Sequence, residues 1–252
     1  MSFDILMTGV GNAFSRQHYG MSFLLQKDDF LLAVDCPDNY RTALQEHDFQ
    51  HTVGGEGRTI DVDIIDAIVI THLHGDHVNG LEMSLAYRRY AAGGIWDVHT
   101  SPEAARDLWE KRLEVALGTS YNGETYDKLG PEDYYRLHEI PWAEPRQIGP
   151  FEITTRPTVH HLPTMAMRIS DGEHTFGYSC DTAYDPALIE WLADADFILH
   201  ETSFGPGHTP LKDLMALPVE LREKMIVGHL PENFADIDEL EFARQGARYS
   251  VG

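Results

Sequence analysis

Four residues able to bind a metal stand within six positions, His72-Leu73-His74-Gly75-Asp76-His77. Neutral imidazole suits zinc and iron, and a carboxylate adds compensating charge. The run directly follows Asp66–Thr71, a short apolar stretch with β-branched residues that reads as a buried strand. His72 and His74 alternate, so both can leave the strand end on one side. Gly75 is expected to let the backbone turn, so that Asp76 and His77 reach a second position. A loop this short cannot close one metal site, let alone two, so distant ligands are required. His160 and His161 follow a strand expected at 151–159, and Asp181 follows one at 174–179. His200 ends a strand at 196–199, and His229 ends one at 225–227. Strand ends gather at one edge of a sheet, so ligand-type residues at so many of them predict a rigid, multidentate centre. His160 and His161 both stay open as the donor from their segment.

Two strand-rich halves carry these positions. In the first, Phe3–Thr8, Met21–Gln26 and Phe30–Val34 read as strands, with Lys27-Asp28-Asp29 as a tight hairpin turn. Residues 39–46 look helical, and 46–63, with Gly54, Gly55 and Gly57, read as a loop. Leu81, Leu85 and Ala92 fit one helix face, 95–99 reads as a strand, and Ser101-Pro102-Glu103 opens a helix running to Leu117. Residues 118–150 carry Tyr121, Tyr126, Tyr134, Tyr135 and Trp142 among acidic residues, which suits either a packed insertion or a lid over the site. The second half reads as strands at 151–159, 165–170 and 174–178, a helix at 185–193, and a strand at 196–199. Short helices at 211–217 and 218–223, a strand at 225–227 and a final helix at 236–247 complete it. Two packed sheets with helices outside, an αββα sandwich of the α/β class forming one domain over 1–252, fit this order.

Composition narrows the partners. The 252 residues are 42% hydrophobic and 24% charged, the profile of a globular chain with a sizeable core. Apolar runs such as Phe30–Val34 are far too short to cross a bilayer, and Met1–Gly9 lacks the pattern of a signal peptide. Cys36 and Cys180 are spaced neither as a zinc pair nor as a disulfide framework, so a reducing cytoplasm is the expected compartment. Nineteen Lys and Arg against 41 Asp and Glu give a net charge of −22. That field disfavours extended nucleic acid and anionic membrane, and leaves a small anionic substrate held locally by metal ions. The sequence is also compatible with a homodimer.

With these residues in view, the chain resembles the metallo-β-lactamase superfamily over nearly all its length. The signature His-x-His-x-Asp-His stands as His72, His74, Asp76 and His77. Asp35-Cys36 resembles the family's Asp-Cys-Gly, with Pro37 in place of Gly, and Tyr178-Ser179-Cys180-Asp181-Thr182 resembles Tyr-Ser-Gly-Asp-Thr, again without the Gly. The nearest likeness is to the ribonuclease Z-like and phosphodiesterase-like group. There a metal histidine precedes Pro by three positions and Gly-Tyr-Arg by six to eight. His160 meets that register with Pro163 and Ala166-Met167-Arg168, and His161 does not.

The resemblance implies two divalent metal ions, Zn2+ with Mn2+ or Fe as alternatives. Site one takes His72, His74 and His160, site two takes Asp76, His77 and His229, and Asp181 bridges them. Such ions sit about 3.5–4 Å apart and acidify a bridging water into the nucleophile. His200-Glu201-Thr202-Ser203 and Gly207-His208-Thr209 resemble the group's later segments. By that likeness His208 protonates the leaving oxygen and Glu201 orients it. Asp76, His208 and Glu201 form the expected catalytic set, with Asp76 counted among the metal donors too.

The function expected is a metal-dependent hydrolase acting on phosphodiester bonds. Hydrolysis of a lactone or thioester by the same centre is the alternative. A di-iron redox or sensor protein is less favoured, because those relatives place Glu where His74 stands. Transfer-RNA processing is disfavoured, because the resembling enzymes of that type carry a long substrate-gripping arm between the third histidine and the bridging aspartate, and here His160 and Asp181 stand only 21 positions apart, with room for one hairpin. His18, His47, His51, His99, His138 and His174 are read as solvated or packing residues, and the cysteines as small buried ones. His200 is read as a buried, hydrogen-bonded histidine. Arg16, Arg41 and Arg168 are read as salt-bridge partners ahead of substrate contacts.

Overall fold

The computed structural model describes residues 2–232, 234 and 237–252. Its first strands alternate with a period of two. In β1 (Phe3–Gly9), Phe3, Ile5 and Met7 join one apolar cluster and Leu6 another. In β2 (Ser22–Lys27), Phe23 and Leu25 oppose Leu24, and in β3 (Phe30–Val34), Leu32 and Val34 oppose Leu31 and Ala33. One set of faces therefore packs against the second sheet, where Phe23 meets Phe176 and Tyr178 edge-to-face at 5.5 and 5.1 Å. The other set packs under helices. Each large apolar side chain so buried contributes about 1.5–3 kcal/mol relative to exposure.

Next come β4 (Gln50–Val53) and β5 (Glu56–Thr59), a separate antiparallel hairpin. The 46–63 stretch read as a loop thus contains paired strands, which its glycines and polar residues concealed. Strands β6 (Ala67–Ile70) and β7 (Trp96–Thr100) follow, then the small hairpin β8 (Thr119–Tyr121) and β9 (Tyr126–Lys128), and β10 (Tyr135–Glu139). The second sheet uses β11 (Arg146–Ile148), β12 (Phe151–Pro157), β13 (Met165–Ser170), β14 (Thr175–Tyr178), β15 (Phe197–Glu201), β16 (Met225–Gly228) and β17 (Glu241–Phe242). The chain then returns to the first sheet as β18 (Arg248–Val251), giving seven-stranded orders β10-β7-β6-β3-β2-β1-β18 and β11-β12-β13-β14-β15-β16-β17.

Helices α1 (Tyr40–His47), α2 (Gly75–Tyr87), α3 (Pro102–Leu108) and α4 (Glu114–Leu117) bury Tyr40, Leu44, Leu81, Leu85, Leu108 and Leu117 in the cluster that holds Leu24, Ile68 and Val98. Ser101 caps α3 through Oγ to the Ala104 N–H. On the second sheet, α5 (Pro186–Leu192), α6 (Leu211–Met215) and α7 (Val219–Arg222) pack Leu188, Leu192, Leu214 and Leu221. The layers are therefore α, β, β, α.

Two further segments bear on the expectations, and the second corrects one. Residues 118–150 supply β8, β9, the edge strand β10 and β11; Tyr134 and Tyr135 are buried beside Trp109, and none of this segment lines the cavity described below. The final helix expected over 236–247 is not formed: Glu241–Phe242 pairs in parallel with β16, and Asp236 lies outside the described residues. Its apolar spacing suits a helix, but the open edge of β16 captures Phe242 into the core. Among the described residues no helix is long and apolar enough to cross a membrane.

The topology decides where chemistry can happen. β3 and β6 run parallel, as do β14, β15 and β16. β12 is antiparallel to β13, which is antiparallel to β14, so β12 shares the direction of β14. Strands that share a direction deliver their C-terminal ends to one edge. Asp35, His72, His160, Asp181, Glu201 and His229 all lie at or just beyond such ends.

Away from that edge, His99 on β7 is buried with Nδ1 unpartnered, and stacks on His138 at 4.6 Å. Burial, helped by His138, pushes its pKa down to about 4. An unfolded histidine titrates near its ordinary 6.5, so between those values the unfolded state binds the extra proton and stability rises with pH. The full separation corresponds to about 3 kcal/mol, absent above pH 6.5 and developed as pH falls towards 4. His99→Phe should therefore lose less stability than the parent between pH 7.5 and 4.5. Urea midpoints at the two pH values check this, and equal losses would remove His99 from the acid response.

Candidate metal centre

The histidine run is split by a change of backbone. His72 and His74 leave β6 extended, His74 holding φ −68° and ψ 151°, and α2 begins at Gly75. Asp76 and His77 thus occupy the first helical turn. Gly75 has no positive φ, so the turn expected of it is made by helix initiation. Gly80 is the glycine that the packing demands, since a Cβ there would lie 2.0 Å from the Pro37 carbonyl oxygen. That close approach lets Cys36 N–H donate to the His77 carbonyl at 2.8 Å and Gly80 N–H to the Cys36 carbonyl at 2.9 Å. The Asp35 loop is thereby held against α2.

Two donor sets result. His72 Nε2 stands 2.9 Å from His74 Nδ1, and His160 Nε2 stands 3.2 Å from the same atom. Ligand nitrogens around a tetrahedral ion with 2.0–2.1 Å bonds are separated by about 3.3 Å, so this convergence matches such a shell. In the second set His77 Nε2 and His229 Nε2 lie 3.5 and 3.3 Å from Asp76 Oδ2. Asp181 lies between the sets: Oδ1 is 3.4 Å from His77 Nε2, and Oδ2 is 3.5 Å from His229, 3.8 Å from His72 and 3.9 Å from His160. In each set, His72, His74, His160 and Asp181 or Asp76, His77, Asp181 and His229, the donor atoms lie within 4.8 Å of one another. His77 Nε2 and Asp181 Oδ1 are buried without a hydrogen-bond partner. Such orphans are costly unless a ligand satisfies them, and a cation between the groups would do so. The residues therefore fit two divalent ions.

The electrostatics of the first set agree, whereas the carboxylates around His77 and His229 raise those two histidines. Burial, with His77 nearby, holds His72 well below the ordinary histidine range. Burial and the neighbours His160 and His161 push His74 down to about 4, and burial lowers His160. These imidazoles are neutral near pH 7, the form that binds metal. Burial works against the charged Asp181, but His229 and His77 hold its carboxyl well below the usual range. Burial likewise opposes Asp76, but the hydrogen bond with His229 together with the charges of His77 and His229 holds its carboxyl below the usual range.

Asp35 is the residue that sequence reasoning missed. It is fully buried, and its carboxylate accepts from Thr71 N–H at 2.8 Å, from Thr71 Oγ1, and from His77 Nδ1 at 2.8 Å. This fixes the His77 tautomer and points Nε2 at the donor set. The signal was present in the Asp35-Cys36 segment, but nothing local ties it to a histidine 42 positions away. Asp35, Cys180 and His229 hold φ of 63°, 49° and 59°, left-handed values that cost a non-glycine about 1 kcal/mol or more each. Cys180 stands where the resembling motif has Gly, the residue that would take this conformation without strain. Its thiol, like that of Cys36, is buried and raised by burial, so both are inert packing groups.

The remaining candidates are placed as follows. Glu201 is buried and its Oε1 accepts from Thr182 N–H at 2.9 Å, His208 Nδ1 at 3.1 Å and Thr209 N–H at 3.3 Å. His208 stacks on His229 with ring centroids 5.1 Å apart and lines the cavity. His161 Nε2 meets His74 Nε2 at 2.7 Å, on the side of the ring away from His72 and His160. His200 is buried with Nδ1 at 2.8 Å from the Glu201 carbonyl. Arg16, Arg41 and Arg168 pair with Glu232, Asp61 and Asp194.

The two seven-stranded sheets with helices outside are the metallo-β-lactamase fold. The crystal structure of the metallo-β-lactamase fold protein YhfI from Bacillus subtilis superposes with a TM-score of 0.75 at 19% identity, covering 99% of this chain and 100% of that one. The short form of human tRNase Z gives 0.72 at 16% identity, with 99% of both chains covered. A family model described as anti-Pycsar protein Apyc1 matches residues 3–249, and the chain belongs to that family. The Apyc1 protein of Paenibacillus sp. (strain J14) is 28% identical over 264 aligned positions covering 100% of both chains, and that of Bacillus phage BSP38 is 29% identical over 263, covering 98% of this chain and 97% of its own.

Proposed function

We propose that this protein is a dinuclear metal-dependent phosphodiesterase whose substrate is a cyclic nucleotide, the class of signal that an anti-Pycsar role would remove. The observation that carries the reading is the pair of donor sets sharing Asp181 beside the His208–Glu201 contact. His72, His74 and His160 would hold one ion, Asp76, His77 and His229 the other, and Asp181 would serve both. Divalent ions there supply polarisation of the phosphoryl oxygens and a lowered pKa for attacking water.

The chain's own groups do the rest. Asp35 keeps His77 Nε2 facing the centre. His161 meets the outer nitrogen of His74, so it steadies a donor and is not one itself. Glu201, held by the Thr182 and Thr209 amides, accepts the His208 Nδ1–H and leaves Nε2 free towards the cavity. From Nε2 the protonated imidazole can pass a proton to the departing ribose oxygen, which as an alkoxide would be a poor leaving group. Across a 3′,5′-cyclic phosphate this opens one P–O bond and yields a nucleoside monophosphate.

Elemental analysis joined to a substrate panel tests the reading. The expected result is two metals per chain and turnover of 3′,5′-cyclic nucleotides that stops on chelation and returns with Zn2+ or Mn2+. Faster turnover of lactones or thioesters than of any phosphodiester would overturn it.

A further inference from the structure

The cavity over the donor sets has a volume of about 730 Å3, within the range that takes a nucleotide-sized ligand. Two of its walls are phenylalanines left out in solvent: Phe14 is 86% exposed and Phe204 67%. They belong to two loops tied together by the Asn12 Nδ2 to Ser203 Oγ bond at 2.9 Å. The same Asn12 accepts the Phe14 N–H at 3.0 Å. Arg16 clamps the first loop again, donating from Nε and Nη2 to the two Glu232 carboxylate oxygens at 2.9 and 3.2 Å. Phe204 rests edge-on against Phe234 at 5.4 Å, and Phe234 against the core residue Phe242 at 6.2 Å. Phe204 is therefore backed by rings that lead to the core, while Phe14 stands in solvent on a loop fixed through its backbone.

We propose that Phe14 and Phe204 form the subsite for the heterocyclic base of the substrate, binding it by stacking while the phosphate sits on the metal centre. The inference rests on the phosphodiesterase reading above. Phe14 and Phe204 line the same cavity as His74, His160 and His208, so the rings and the donor sets face one space. Its chemistry selects a flat, uncharged ring. Among the described lining residues there is no Lys or Arg, and the Asp38 carboxylate adds negative charge at the rim, so a second anionic group is unwelcome there. The Asn12 and Ser203 side chains are engaged with each other, which leaves aromatic surface as the wall's binding feature.

The test compares Phe14→Ala, Phe204→Ala, Phe→Leu and Phe→Trp at each position. The substrates are a 3′,5′-cyclic nucleotide and the same cyclic phosphate on 1-deoxyribose, which has no base. Removing one stacked ring should raise KM for the nucleotide by roughly 5- to 100-fold, with kcat within about twofold. Leu should behave like Ala, Trp should retain binding, and KM for the base-less substrate should not move. A second readout is equilibrium titration of the metal-loaded protein with a nucleoside 5′-monophosphate, which should weaken in the same variants. An equal rise in KM for both substrates, or none for either, overturns the subsite while leaving the phosphodiesterase reading in place. Phe-dependent binding without turnover of either substrate overturns the phosphodiesterase reading and keeps the subsite. Neither turnover nor binding overturns both.

Discussion

Asp181→Asn should lower the metal content from two per chain to one or none. The Asp181 carboxylate lies within 3.9 Å of four histidine nitrogens drawn from both donor sets. No other side chain among the described residues belongs to both of those sets. Its charge also opposes the repulsion between two dications, which an amide of the same shape cannot do. Bound ions provide several kcal/mol of transition-state stabilisation, so kcat/KM should fall by at least about 10³-fold. Circular dichroism and thermal unfolding in chelator separate this from misfolding, because the metal-free variant should match the metal-free parent. A variant that keeps two tightly bound metals and near-normal turnover would defeat the shared-ligand arrangement.

His208→Ala should do the opposite: keep both metals and lose rate. The ring belongs to neither four-residue donor set, and its Nδ1 is committed to Glu201. If it delivers the proton, kcat should fall by roughly 10²–10⁴-fold on a cyclic nucleotide. The loss should shrink on a nitrophenyl phosphodiester, whose leaving group needs little protonation. Glu201→Gln should reproduce part of the effect by disturbing the tautomer. The measurement is kcat across leaving groups of different pKa, with metal content determined for each variant. An equal loss on all of them would assign His208 to binding or packing. No loss at all would remove it from the mechanism and restore ester hydrolysis to equal standing.

Read residue by residue, much of this centre was already legible in the chain. Four potential donors after an apolar strand, and further His and Asp residues closing later strands, state a metal site in local terms. The strands themselves were legible where apolar residues alternate, as in β1 to β3, or run unbroken, as in β6 and β16. The hairpin β4–β5 and the edge strands β10 and β17 were not, because their residues are mostly exposed or their pairing depends on an open neighbour far away in sequence.

Donor identity, then, is a property of sequence, since it needs only residue type and position after a strand. Donor direction is a property of the tertiary structure. Which of His160 and His161 faces the centre depends on where β12 ends relative to His74. Which carboxylate fixes His77 depends on β3 lying beside β6, which brings Asp35 across 42 positions. The aromatic wall follows the same division: nothing local distinguishes Phe14 or Phe204 from core phenylalanines, because period and composition record how apolar a residue is and not whether its neighbours leave it uncovered. Exposure is decided only when two distant loops are pinned together over the cavity, here through Asn12 and Ser203, 191 positions apart.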